Sequence, residues 1–171
     1  MEFIGETFFV KKVSPNPFQK TSIWEKEIMD SANSKNDSMT EKEAGAVSAA
    51  NLAYLGDCVY ELLVREYLVR RGSTKPSVES LAYVTAHVQS DVIEKLLPHL
   101  TAGEEEAYKR GRNIGHSNVP KSSTAAQYRR ATGLEALFGW LHLTGQSERI
   151  RELFDLAFTE ADAAETGEIN E

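Results

Sequence analysis

Apolar residues recur at helical spacing in four separate stretches of this sequence, and no stretch of comparable length alternates apolar with polar residues as a half-buried strand would. Leu52, Leu55, Val59 and Leu62 fall at i, i+3, i+7 and i+10, which marks one buried stripe on a helix running to about Arg71. Gly72 stops it. Pro76 and Ser77 open a second helix, whose Leu81, Val84, Val88 and Val92 keep the same period until about Pro98. Thr101 and Glu104 have the spacing of a capping box and start a short helix that ends near Arg112. Thr124 and Gln127 repeat that device ahead of a helix whose apolar face is Leu134, Leu137, Phe138 and Leu141. Ile150, Leu153, Leu156 and Ala157 give a last amphipathic helix. The expected fold is all-α, a helical bundle without internal repeats.

These helical signals place one domain at residues 41–158 of the 171. Residues 1–40 mix Phe8, Phe9, Phe18 and Trp24 with Pro15, Pro17 and a polar run from Ser31 to Thr40, and are expected to form a poorly structured extension. From Thr159 to Glu171 there are five acidic residues and no basic one, which predicts an acidic C-terminal tail. No apolar run approaches the roughly 20 residues of a membrane helix, and the first residues lack an apolar signal core, so a cytoplasmic protein without membrane contact is expected. Cys58 is the single cysteine, which excludes an internal disulfide and any Cys-rich zinc module; it is expected to be a small buried apolar residue.

With 19 Lys and Arg against 26 Asp and Glu, the net charge of −7 argues at first against a nucleic-acid partner. Its distribution reverses that inference. Between Ala107 and Leu134 lie Lys109, Arg110, Arg112, Lys121, Arg129 and Arg130, with no acidic residue among them. Such a segment is either a solvated loop or a surface that binds anions.

Two carboxylates stand where carboxylates are expensive. Asp57 lies inside the most hydrophobic segment, Leu52 to Val64, and Glu135 inside an equally apolar helix, Ala131 to Leu143. Neither has an adjacent Lys or Arg, and ionised carboxylates are seldom buried unless they are paired or bind a metal. Each could instead point to solvent. Gly56 precedes Asp57 and Gly139 follows Glu135 by one turn, although glycine inside a helix costs about 1 kcal/mol relative to alanine. Small residues at Gly56, Ala131 and Gly139 would let two helix backbones approach closely enough for two short carboxylates to share a cation; helix packing alone is the other use for them. Glu61 shares the helical face of Asp57, four residues on, as a further shell residue or as a partner for Arg65.

The run from Asn51 to Glu61, with its Tyr54-Leu55-Gly56-Asp57 core, resembles the signature helix of the ribonuclease III catalytic domain. The resemblance continues through Lys109-Arg110-Gly111-Arg112-Asn113, Pro120-Lys121, Tyr128 to Thr132 and Glu135 to Gly139, over about Ala46 to Phe158. It is closest to the short bacterial branch, Mini-ribonuclease III, which has a catalytic domain and no separate double-stranded-RNA-binding domain. Where full-length members carry two more acids, this chain has Ala53 and Thr132, which is the short branch's pattern. The resemblance implies a helical endonuclease domain that forms a homodimer, cleaves double-stranded RNA to leave 5′-phosphate and 3′-hydroxyl ends, and serves maturation of ribosomal-RNA (23S) precursors.

It further implies that Asp57 and Glu135 are the catalytic, metal-binding acids, with Glu61 a possible second shell around them. Hydrolysis of a phosphodiester needs an activated water and a group that offsets charge on the phosphoryl and leaving oxygens. Mg²⁺ meets those needs with few carboxylates and is the expected cofactor. Lys109, Arg110, Arg112, Lys121 and Arg129 are then expected to hold RNA phosphates, since duplex RNA offers phosphates and 2′-hydroxyls more readily than base edges. Adjacent helical positions diverge by about 100°, so at most one of Arg129 and Arg130 is expected to face RNA. Two other readings stay open on the residues alone: a non-catalytic duplex-RNA or ribosome-associated module, and a plain helical interaction protein.

Overall fold

The computed structural model describes residues 38–115 and 121–166, with side chains as far as residue 158. The expectations for most of the N-terminal extension, for His116 to Pro120 and for the acidic side chains after residue 158 lie outside the described residues. Among the described residues eight α-helices follow one another: α1 Glu41–Ala46, α2 Ala49–Arg70, α3 Pro76–Glu79, α4 Leu81–Val84, α5 Ala86–Leu96, α6 Ala102–Arg112, α7 Ala125–Leu143 and α8 Ser147–Thr166. A 3₁₀ turn, Leu97–His99, links α5 to α6. No strand occurs among the described residues, and none of their helices is long and apolar enough to cross a membrane.

Helix α7 is the central element. From Ala131 to Leu141 every residue is buried except Glu135, because α2, α5 and α6 pack around it. Both expected capping boxes are formed: the Thr101 and Thr124 hydroxyls accept from the backbone N–H groups of Glu104 and Gln127, whose side chains return to the cap residues. Each cap contributes about 1 kcal/mol and fixes where its helix begins. Gly72 ends α2 with a φ of 73°, a left-handed conformation that costs glycine little. The C-terminal helix buries Ile150, Leu153 and Ala157 as expected, and its backbone continues past Phe158 to Thr166.

Three sequence expectations change. On α2 the buried stripe is Leu52, Gly56, Tyr60, Val64 and Leu68, a four-residue repeat, while Leu62 is 57% exposed and Tyr54 80% exposed. A pattern that counts only aliphatic residues misses this stripe, because two of its five members are a glycine and a tyrosine. The second expected helix, Pro76 to Pro98, is three short ones. Thr85 takes an extended backbone (ψ 147°) and turns the chain. The Tyr83 carbonyl just before it accepts from the buried Tyr60 hydroxyl at 3.2 Å instead of continuing a helical ladder.

Cys58 is exposed rather than buried, since it leaves the helix on the side opposite that stripe. A buried ion pair also ties the helices: Arg149 on α8 donates through Nε and Nη2 to the Glu104 carboxylate at 2.8 and 3.1 Å, and through Nη2 to the His99 carbonyl at 2.7 Å. Glu104 is only 1% exposed, so this bidentate contact satisfies a carboxylate that would otherwise be buried without a counter-charge.

Candidate active site

The backbones of α2 and α7 meet at two glycines. A Cβ added to Gly56 would lie 1.7 Å from the Glu135 carbonyl oxygen and 2.6 Å from the Gly139 nitrogen, and one added to Gly139 would lie 2.0 Å from the Leu52 carbonyl oxygen. No side chain fits between the helices there. Glycines stand at the other contact of α7 too: a Cβ on Gly111 of α6 would fall 2.4 Å from the Ala136 Cβ. Helix α7 is thus held on both sides by small-residue contacts, and the first of them sets Asp57 and Glu135 near each other.

The electrostatics report that proximity. Burial pushes the Glu135 carboxyl up to about 8, and the neighbouring Asp57 charge adds to the rise. Asp57 is exposed, so unlike Glu135 it reaches solvent, as its position within an apolar segment did not require; its carboxyl is also raised, first by the desolvation it does undergo and then by Glu61. Both shifts mean that the ionised forms lack compensation. Neither carboxylate makes a hydrogen bond or ion pair to any other described residue. Glu61, the third acid of this face, is engaged by Arg65 at 2.7 Å, so of its two expected roles the salt bridge is present.

Among the described residues no set of three or more His, Cys, Asp or Glu side chains is arranged to hold a metal. Two hard oxygen donors remain. That donor set fits Mg²⁺, which is commonly held by one or two carboxylates with water and phosphate oxygens completing the shell, and does not fit zinc. Ala53 and Thr132 are both buried at 6% exposure, and the Thr132 hydroxyl donates to the Tyr128 carbonyl at 3.0 Å, so neither adds a ligand.

The basic residues separate into two groups. Lys109 pairs with Glu105 at 2.7 Å, and the Arg110 guanidinium donates to the Val47 carbonyl where α1 gives way to α2. Arg112, at the end of α6, lies over the Tyr108 ring, 5.6 Å from its centroid. With Arg129 and Arg130 it lines an open cleft of about 920 Å³ to which neither Asp57 nor Glu135 belongs. Both arginines of α7 therefore line it, although they differ in what they contact. Arg130 is held by Ser90 at 2.8 Å and Glu94 at 3.2 Å, whereas Arg129 is exposed and donates only its Nε, to Ala125 of its own helix. Lys121 is exposed just ahead of α7. Sequence reasoning found Glu104 as a capping residue but missed its pairing with Arg149, which spans 45 positions and has no local signature.

The fold and site define an all-helical domain whose two central helices bring two carboxylates together, with arginines on one of those helices. The comparisons with known proteins identify the family. The Ribonuclease III domain model matches residues 50–146. The chain is 42% identical to the Mini-ribonuclease 3 of Symbiobacterium thermophilum over 120 residues, 68% of this chain and 90% of that protein. It is 45% identical to that of Enterococcus faecalis over 109 residues, 61% and 83% respectively. The crystal structure of a Fusobacterium nucleatum protein superposes with a TM-score of 0.61 at 30% identity, covering 68% of this chain and 95% of that one. The chain belongs to the ribonuclease III family, in its Mini-ribonuclease 3 branch. It is accordingly an endoribonuclease, and its substrate is RNA.

Proposed function

We propose that this protein is a Mg²⁺-dependent endoribonuclease that hydrolyses double-stranded RNA, leaving 5′-phosphate ends, and that it matures ribosomal-RNA (23S) precursors. The observation that carries the reading is Glu135. It is the one incompletely buried position of an otherwise buried run, it faces Asp57, and no cationic side chain offsets either charge. A cation between the two carboxylates would offset the charge that burial leaves uncompensated on Glu135, while Asp57 meets it from the solvent-exposed side.

Asp57 and Glu135 would hold that cation through their carboxylate oxygens. When bound, Mg²⁺ supplies an activated, oriented water and offsets charge on the scissile phosphate and leaving oxygen. The chain's own part is positional. The close contact at Gly56 and Gly139 fixes the separation of the two carboxylates, and burial excludes competing water from Glu135. With its carboxyl raised to about 8, Glu135 holds a proton at neutral pH in the metal-free protein and would have to give it up in order to hold a cation. Arg112 and Arg129 offer guanidinium groups to RNA phosphates; Arg129 lies six residues before Glu135, about 9 Å along the helix axis.

One chain carries one such pair, whereas a duplex has two strands, and a homodimer would supply two sites. Tyr54, Leu62 and Val69 on α2, exposed by 80, 57 and 67%, support a second copy as the partner for that face.

Incubation of the purified protein with duplex RNA, with and without Mg²⁺, tests the proposal. Cleavage that requires Mg²⁺ is expected. Binding without cleavage under both conditions would favour a non-catalytic RNA-binding module, the reading motivated by non-acidic Ala53 and Thr132. Failure to bind would overturn both.

A further inference from the structure

The 920 Å³ cleft is far larger than a phosphate group requires, and its chemistry is divided. Leu97, Ile114, Ala125 and Ala126 give it an apolar lining, while Arg112 and Arg129 stand on it from α6 and α7. Glu94 is the one acid on its wall and is paired with Arg130, which leaves two guanidinium groups without a carboxylate partner among the described residues. Ala125 and Ala126 belong to the first turn of the 19-residue α7, whose positive end adds to the field that favours an anion. Arg112 is stiffened by its stacking over Tyr108 and by a 3.4 Å contact from its Nε to Asn113, so its terminal nitrogens are presented at a fixed place.

An apolar surface beside a guanidinium pair is complementary to a nucleotide, with the base on the apolar lining and the phosphate on the arginines. A base within a duplex cannot use such a surface, because both its faces are stacked on neighbours; only an unpaired nucleotide can. We propose that the cleft between α5, α6 and α7 is a nucleotide-binding site distinct from the carboxylate pair, and that it takes an unpaired nucleotide of the RNA substrate. This rests on the reading that the substrate is a duplex, and it adds a preference for duplexes interrupted by a bulged nucleotide. The same chemistry would admit a free mononucleotide.

The test uses the full chain in EDTA, which prevents cleavage, with two labelled duplexes that differ by one unpaired uridine. Anisotropy is expected to give the bulged duplex about tenfold tighter binding than the paired one, the value of one charge-assisted phosphate contact. In Arg129→Ala and Arg112→Ala the ratio of the two affinities is expected to fall to near one, whatever each variant loses on the paired duplex; Arg129→Lys is expected to retain part of it. Uridine monophosphate should compete only for the bulge-dependent part. Competition by uridine monophosphate without a bulge preference would assign the cleft to free nucleotides and overturn the RNA-borne source. Equal affinity for both duplexes with no nucleotide competition would overturn the site itself. Absence of binding to the paired duplex would instead count against the proposed function.

Discussion

Replacing Gly56 by alanine separates close helix packing from carboxylate chemistry. The new Cβ would lie 1.7 Å from the Glu135 carbonyl oxygen and 2.6 Å from the Gly139 nitrogen, both backbone atoms that no rotamer change can move. Ordinary contact needs roughly twice the smaller distance, so α2 must retreat from α7 by well over 1 Å. Overpacking of a tight core costs about 1–3 kcal/mol, and the absence of any yielding side chain places Gly56→Ala at about 3 kcal/mol or beyond. For a domain of this size that corresponds to a fall in Tm of about 10 °C.

Asp57 follows Gly56 directly, so the retreat also changes its separation from Glu135. A misplacement of about 1 Å in a catalytic constellation typically costs about a hundredfold in rate. Thermal melting and single-turnover cleavage of duplex RNA, run well below the melting temperature of the variant, measure the two effects independently. Gly45→Ala is the matched control, because a Cβ there meets nothing within 4 Å, and it should leave both quantities unchanged or raise Tm slightly. A Gly56→Ala protein with wild-type Tm and rate would refute the claim that this contact sets the site.

Glu135 gives a pH signature without RNA. Its folded-state value, about 8, lies above the ordinary 4.5, so the stability it permits is complete at acid pH and is lost as pH rises through 8. Metal-free protein should lose on the order of a few kcal/mol across that window in urea melts, and Glu135→Gln should remove most of the dependence; an unaltered slope would count against a desolvated carboxyl. Duplex affinity should fall steeply with salt, with a log–log slope that shrinks by about one in Arg112→Ala; an unchanged slope removes Arg112 from the contact set. Light scattering should report a dimer that Leu62→Glu converts to monomer, and a monomeric wild type at working concentration would contradict the apolar face of α2 as a homodimer surface.

Much of the scaffold is legible in the sequence because its signals are local. The capping boxes at Thr101 and Thr124 and the stop at Gly72 each depend on residues within a few positions, and each is formed. The acids Asp57 and Glu135 also stand out, since charge inside an apolar run is visible without coordinates, and the glycines beside them announce the close helix contact. What fails to show is tertiary. The stripe of α2 is set by which neighbours can approach Gly56 and Tyr60, and that approach exposes Leu62 instead of burying it. The break at Thr85 follows the Tyr83 carbonyl, which accepts from a hydroxyl 23 residues before it, on Tyr60. Arg110 reads as a phosphate ligand in a basic run, yet its guanidinium reaches back 63 positions to the Val47 carbonyl. Charge alone cannot distinguish it from Arg112 or Arg129, which line an open cleft.

The most direct measurement is Mg²⁺-dependent cleavage of duplex RNA by Asp57→Asn, with duplex affinity and helical content determined on the same preparation. Asn is nearly isosteric but carries no charge to share with Glu135, so a cation held by the pair would lose one of its two anionic protein ligands while the packing at Gly56 is untouched. The expected result is loss of cleavage with affinity and helical content retained. Cleavage at the wild-type rate would contradict the assignment of the carboxylate pair as the metal-holding catalytic site.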